Sequence, residues 1–180
     1  MHKKKEEGFS KLLGIIPEQF FYGCMAKLYE HFFRFATSNY FAMAIHFFSE
    51  GIVFKPKNIR ILKNWIRQVI LKEQHTLGEL NFIFCNDEYL HNINVAYLQH
   101  DTYTDIITFD NSDKKHNIEG DIFISVERVQ ENAQKLKIDF ETELHRVMIH
   151  GILHLLGYKD KSPKEKKQMR AKENEYLELL

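Results

Sequence analysis

Between Asp139 and Tyr158 the chain runs as one long apolar-periodic segment, and two histidines break into it four residues apart, at His150 and His154. Leu144, Val147, Met148 and Leu155 supply the apolar face, and their spacing predicts a helix. Residues four apart on a helix lie one above the other on one face, so both imidazoles can reach a single metal ion. Gly157 predicts the helix stop, because glycine tolerates the left-handed conformation that ends a helix. The chain then turns, and Asp160 can swing back as a third ligand. Two neutral imidazoles and one carboxylate make a zinc-type set with a fourth position open to water, which is what separates a catalytic site from a closed structural one. Packing is the competing reading, since the chain has ten histidines in 180 residues. An unpaired imidazole on an apolar face is costly, however, and the Gly break followed by an acid favours a ligand role.

Position 151 carries information of its own. A helical zinc protease reads His-Glu-x-x-His, with the Glu as general base. Here the residue after the first histidine is Gly151, which holds no base. The chemistry therefore differs from that of such a protease, or the base comes from elsewhere. His145 lies five residues before His150 and is expected to point off the ligand face, as a surface or packing residue.

The segments before this helix alternate in type. Ala44–Phe48 reads as a first strand. Asn58–Lys72 places Ile59, Leu62, Trp65, Ile66, Val69 and Ile70 at helical spacing. Glu79–Cys85 alternates Leu80, Phe82 and Phe84 with polar neighbours, a half-buried strand. Asn86 is placed to cap a helix over Asp87–Gln99. Asp105–Phe109 and Asp121–Val126 read as strands joined by the polar, turn-like stretch 111–120, hence a hairpin. Arg128–Leu136 reads as a helix, and Asp139 caps the long one. Ser162-Pro163-Lys164-Glu165 combines a capping box with Pro at the first helical position and starts a final helix to Leu180. The expected fold is a single α/β domain of α+β-like character. It has a mixed four-stranded sheet with packed helices and the metal site on the long helix of the C-terminal half.

Composition sets the boundaries of the reading. The chain is 44% hydrophobic and 28% charged, with 25 basic and 25 acidic residues, which suits a globular domain with a sizeable core. Cys24 and Cys85 are far apart in sequence, so neither a disulfide framework nor a cysteine zinc site is expected, and a reducing, cytoplasmic location fits. No apolar run approaches membrane-spanning length. Lys3 to Lys5 are followed by Glu6 and Glu7 without an unbroken apolar region, so no signal peptide is read. Residues 1–42 differ from the rest, with seven Phe and three Tyr. They are expected to be an N-terminal extension, either upstream of a natural start at Met43 or an amphipathic arm, and residues 43–180 to be the domain proper.

At this point three stretches resemble one family. His150-Gly-Ile-Leu-His154-Leu-Leu-Gly157-Tyr158 is similar to the signature of the YbeY family of bacterial endoribonucleases. Thr104-Asp105-Ile106-Ile107-Thr108-Phe109 resembles its Thr-Asp-Val-Leu-Ser-Phe, and Gly120-Asp121-Ile122-Phe123-Ile124-Ser125 its Gly-Asp-Ile-x-Ile-Ser. Asn94 and Tyr97 fall where the family has an Asn-x-x-Tyr helix. The resemblance runs from Met43 to Leu180. It implies a single α/β domain, one Zn2+ ion and a single-strand-specific, metal-dependent endoribonuclease. It also implies a role in late 16S rRNA 3′-end maturation and ribosome quality control. The small ribosomal subunit would be the partner, with ribosomal proteins and assembly GTPases as further candidates. His150, His154 and Asp160 would be the metal ligands, catalytic through the water that the ion holds. Two departures stand out: Asp160 occupies the place of a usual third His, and Leu98 that of a usual Arg.

Asp105 and Asp121 are candidates to orient the ligating imidazoles, or simply to cap strand ends. Residues 1–42 hold six basic and four acidic residues, which leaves 19 against 21 for the remainder, so overall charge gives no footprint for a polyanion. The charge is uneven, though: Lys161, Lys164, Lys166 and Lys167 crowd just after the metal motif. They are candidate RNA-binding residues, or a solvated helix face. Two rival functions remain open: a non-catalytic ribosome assembly factor with a structural metal, and a metallopeptidase-like hydrolase.

Overall fold

The computed structural model describes residues 44–180; the expectation about residues 1–42 lies outside them. Strand β1 (Ala44–Glu50) leads to helix α1 (Ile59–Lys72), strand β2 (Thr76–Cys85) and helix α2 (Asp87–Ile93). Strands β3 (Ile106–Asp110) and β4 (Asn117–Ser125) follow, then helices α3 (Val126–Leu136), α4 (Phe140–Leu155) and α5 (Pro163–Leu177). The four strands form one sheet in the order β1-β2-β4-β3. The β1–β2 and β2–β4 pairs are parallel, and β3 and β4 form the expected antiparallel hairpin.

Register puts the apolar positions in line. Ile45 pairs with Leu80, Phe47 with Phe82, Phe82 with Ile122, and Phe84 with Ile124. Because strand side chains alternate between faces, these residues share one face. They form the main core with Leu62, Trp65, Ile66, Val69 and Ile70 of α1 and with the inward side of α4. A smaller cluster on the other face joins Leu90 of α2 to Cys85 and Ile107. Among the described residues no helix is long and apolar enough to cross a membrane.

The helix starts follow the expected caps. Asn86 Oδ1 accepts from the Tyr89 N–H at 2.8 Å, and Asp139 Oδ2 from the Glu141 N–H at 2.9 Å. At Ser162 both halves of the capping box form, at 3.3 Å and 2.7 Å. Several boundaries differ from expectation. Strand β2 starts earlier, at Thr76, beyond a register shift between Leu77 and Leu80 that breaks the alternation. Strand β4 starts earlier still, at Asn117. The expected helix to Gln99 is α-helical only to Ile93 and ends in a π-helical turn over Asn94–Leu98. There the buried Asn94 side chain donates to the Thr102 carbonyl at 2.7 Å instead of facing solvent.

Helix α4 lies directly on the sheet at Gly151. A Cβ there would stand 2.8 Å from Ile106 Cδ1 and 2.9 Å from Ile122 Cγ2, closer than packed carbons allow. Replacing a helix-interior glycine by alanine ordinarily stabilises by about 1 kcal/mol. Gly151→Ala is expected to have the opposite sign, a net loss of about 1–3 kcal/mol from overpacking. The urea midpoint of the full chain reads this, and an unchanged or higher midpoint would show that the contact relaxes freely.

Candidate metal centre

His150 and His154 stand one turn apart on α4, both partly buried, with ring centroids 4.5 Å apart and planes nearly perpendicular. Their Nε2 atoms approach to 2.9 Å. Gly157, at φ +91°, turns the chain in the left-handed region, and Asp160 comes back so that its Oδ2 lies 4.0 Å from His150 Nε2. One ligand atom from each of His150, His154 and Asp160 lies within 4.8 Å of the other two.

Hydrogen bonding decides the tautomers. His154 Nδ1 faces the Tyr158 carbonyl oxygen at 3.0 Å. A carbonyl only accepts, so Nδ1 carries the proton. His150 Nδ1 faces Glu173 Oε1 at 2.8 Å. Burial by itself would raise the Glu173 carboxyl, but the hydrogen bond from His150, the charge of Arg170 and the hydrogen bond from Arg146 outweigh it and hold it below the usual carboxylate value. An ionised carboxylate also only accepts, so His150 donates through Nδ1. With both rings neutral, each presents a bare lone pair at Nε2, and the two point at each other across 2.9 Å. That arrangement is repulsive unless a cation lies between them. Burial, aided by neighbouring His150, pulls the His154 imidazole below its ordinary value, which disfavours a proton on that ring. Two ligand atoms bound to one zinc-sized ion at tetrahedral angles stand about 3.3 Å apart, and the observed 2.9 and 4.0 Å bracket that spacing. The donor set therefore fits a divalent metal ion held by His150, His154 and Asp160.

The residues that orient the imidazoles are not the two aspartates singled out from sequence. Asp105 accepts from Asn132 at 3.1 Å, and Asp121 is bridged by Asn81 at 2.9 Å and Asn111 at 2.8 Å. Glu173 takes the orienting role for His150. Its signal was present in the sequence: Met169, Glu173 and Tyr176 share the inward face of α5, and a carboxylate on an apolar helical face calls for a partner. The Tyr158 carbonyl has no such signal. It is fixed from afar, because the Tyr158 hydroxyl donates to Glu73 at 3.0 Å. Tyr176 and Lys172 also bind Glu73, so the end of α1, the ligand turn and α5 meet at one carboxylate. His145 is half-buried with its ring edge-on to Trp65 at 6.0 Å, a packing role, one of the two expected of it.

A cleft of about 660 Å³ opens over His150, His154 and Asp160. Its other wall comes from the segment after α2 and from β3, including Leu98, His100, Thr102 and Asp105. Lys161, Lys164, Lys166 and Lys167 are exposed. Lys161 follows Asp160, and the other three lie on the first turns of α5. None of the four lines the cleft.

Comparisons with known proteins show similar sequences and a similar fold. The family model described as Endoribonuclease YbeY matches residues 49–180. A protein of Amoebophilus asiaticus named Endoribonuclease YbeY is 53% identical over 133 residues, covering 74% of this chain and 90% of the relative. One of Cytophaga hutchinsonii with the same name is 52% identical over 135 residues, covering 75% and 94%. The solution structure of a target protein from Thermotoga maritima superimposes with a TM-score of 0.52 at 30% identity, covering 75% of this chain and 87% of that one.

Groups that orient a ligating histidine typically matter 10–100-fold for affinity. Glu173→Ala is expected to weaken divalent metal binding by about that factor, read by competition with a chromogenic chelator. Unchanged affinity would mean that His150 keeps its orientation without Glu173.

Proposed function

This chain belongs to the Endoribonuclease YbeY family, and from that premise we propose that it is a metal-dependent endoribonuclease acting on single-stranded segments of ribosomal RNA. On this reading it works in late 16S rRNA 3′-end maturation and ribosome quality control, in the cytoplasm. The small ribosomal subunit is its partner, and ribosomal proteins and assembly GTPases are further contacts. The domain that carries the activity is residues 43–180. The observation that supports the reading most is the pair of opposed Nε2 lone pairs 2.9 Å apart with Asp160 beside them.

His150, His154 and Asp160 hold one ion, proposed as Zn2+ because two imidazoles and a carboxylate suit it and leave a position open. When bound, the ion acidifies water toward neutral pH and offsets charge on phosphoryl oxygens. The chain's own residues do the rest. Glu173 and the Tyr158 carbonyl keep both imidazoles in the Nδ1–H form. Gly151 fills the contact with the sheet, so no base can project from that position. A phosphodiester lies in the cleft between the ligands and the wall that carries Leu98 and His100. Outside the cleft, Lys161, Lys164, Lys166 and Lys167 attract the RNA backbone.

Two experiments on the full chain test this. Wild type is expected to bind about one ion per chain and to cleave single-stranded RNA, and His154→Ala and Asp160→Ala to lose both. Metal kept by Asp160→Ala would remove Asp160 from the ligand set. Metal bound without any cleavage would favour an assembly factor with a structural ion. Separately, replacing Lys164, Lys166 and Lys167 by Ala should weaken RNA binding and flatten the plot of log affinity against log salt by about 2, at about 0.7 per phosphate contact. An unchanged slope would show that these lysines do not face RNA.

A further inference from the structure

The cleft over the ligand set has an unusual inventory for a site that is to receive a phosphodiester. None of the residues lining it is Lys or Arg, while Asp105, Asp110 and Asp160 are all among them. Three lining side chains can carry a positive charge: His100, His150 and His154. The last two are occupied at both nitrogens, Nδ1 by an acceptor and Nε2 by the metal position. Tyr103 also lines the cleft, but its ring stacks on His91 at 4.7 Å, and a phenol is a far weaker acid than an imidazolium. That leaves His100.

The backbone around His100 is built to hold it there. The π-helical turn Asn94–Leu98 is followed by Gln99 in the left-handed region, at φ 57°. The His100 N–H then donates to the Asn94 carbonyl at 3.3 Å, and the buried Asn94 side chain donates to the Thr102 carbonyl at 2.7 Å. One buried asparagine thus ties down both ends of the His100–Thr102 segment. The His100 side chain itself is exposed. A clamped backbone carrying a free imidazole opposite a ligand set is the arrangement of a group that meets substrate, and π-turns often mark such places.

We propose that His100 is a catalytic residue, the general acid that protonates the leaving oxygen of the phosphodiester. This rests on the RNA-cleavage reading. In the step, the attacking oxygen, its own proton released to solvent, forms a bond to phosphorus as the bond from phosphorus to the leaving oxygen breaks. That oxygen takes the bonding electron pair and the proton of the His100 imidazolium. It departs as a hydroxyl, and neutral His100 regains a proton from solvent. An imidazole suits the task because its ordinary pKa lies close to neutral pH.

The test compares wild type with His100→Ala, as full-length metal-loaded chains, on two single-stranded RNAs. One is unmodified. The other carries sulfur in place of the leaving oxygen at the mapped cleavage position, because a thiolate departs without needing a proton. The expected result is a loss of about 10²–10⁴-fold on the unmodified RNA, the usual contribution of a general acid. The sulfur-containing RNA should be cut at close to the wild-type rate, with metal content and melting temperature unchanged. An equal loss on both RNAs would make His100 a binding or shaping residue and overturn the proposal. So would a negligible loss on the unmodified RNA. A wild-type chain that binds metal and cuts neither RNA would overturn the endoribonuclease reading itself, and this proposal with it.

Discussion

The site depends on two lone pairs that have been made to face each other. An imidazole placed on a helix by spacing alone is free to rotate and to choose its tautomer. Here both freedoms are removed, for His150 by Glu173 and for His154 by the Tyr158 carbonyl. Each acceptor forces its proton onto Nδ1 and leaves Nε2 bare. A cation shared between them would relieve the resulting repulsion across 2.9 Å. On the proposed reading the ligands are pre-organised for an ion, so little reorganisation is left for binding to drive.

Holding those acceptors in place requires contacts from distant parts of the chain. Glu173 comes from α5, which is secured by Met169 and Tyr176 in the core and by the Trp65 Nε1–H donating to the Tyr176 carbonyl at 2.7 Å. Tyr158 is secured through Glu73 at the end of α1. Burial would raise the Glu73 carboxyl, but hydrogen bonds from Tyr176, Lys172 and Tyr158 carry it the other way, so it stays ionised and binds all three. The opposite side of α4 sits on the sheet through Gly151. The helix is thereby clamped between the sheet and α5. The same close approach explains why no glutamate follows the first histidine, since a side chain at 151 would be driven into Ile106 and Ile122. The absence of a metalloprotease base is a packing consequence as much as a chemical one.

This division also explains what could be read from sequence. Asn86, Asp139 and Ser162 act within three residues of themselves, as does the Gly157 turn, and all are legible one-dimensionally; β2, expected to be half-buried, is instead buried on both faces, with Ile83 and Cys85 covered as well as Phe82 and Phe84. The His150–His154 pair is local too, and Asp160 needs only one turn. Glu173 lies 23 residues from His150, and Glu73 lies 85 residues from Tyr158; such contacts exist only once the sheet order is set. Asp105 and Asp121 were reasonable candidates by residue type, but register turned them toward Asn132, Asn81 and Asn111 instead. The π-turn at Asn94–Leu98 hid for a related reason. Its sequence continues a helical pattern, and it departs from it because Asn94 satisfies a loop carbonyl that sequence alone does not place nearby.

Electrostatics then divides the proposed labour between two regions. The cleft, with three aspartates and no Lys or Arg among its lining residues, offers a polyanion little attraction of its own. The exposed lysines at the start of α5 do, but they lie outside it. Attraction by surface lysines acts over roughly a Debye length, about 8 Å at physiological salt, and carries no information about which bond is cut. Contact chemistry in the cleft is short-ranged and limited to what the ligand set and His100 supply. On the proposed reading, RNA is gathered through a screened, salt-dependent surface, while the bond to be broken is selected by what can enter the acid-lined cleft. Single strands meet that condition better than duplexes, since their backbone can turn into a cleft without dragging a second strand along.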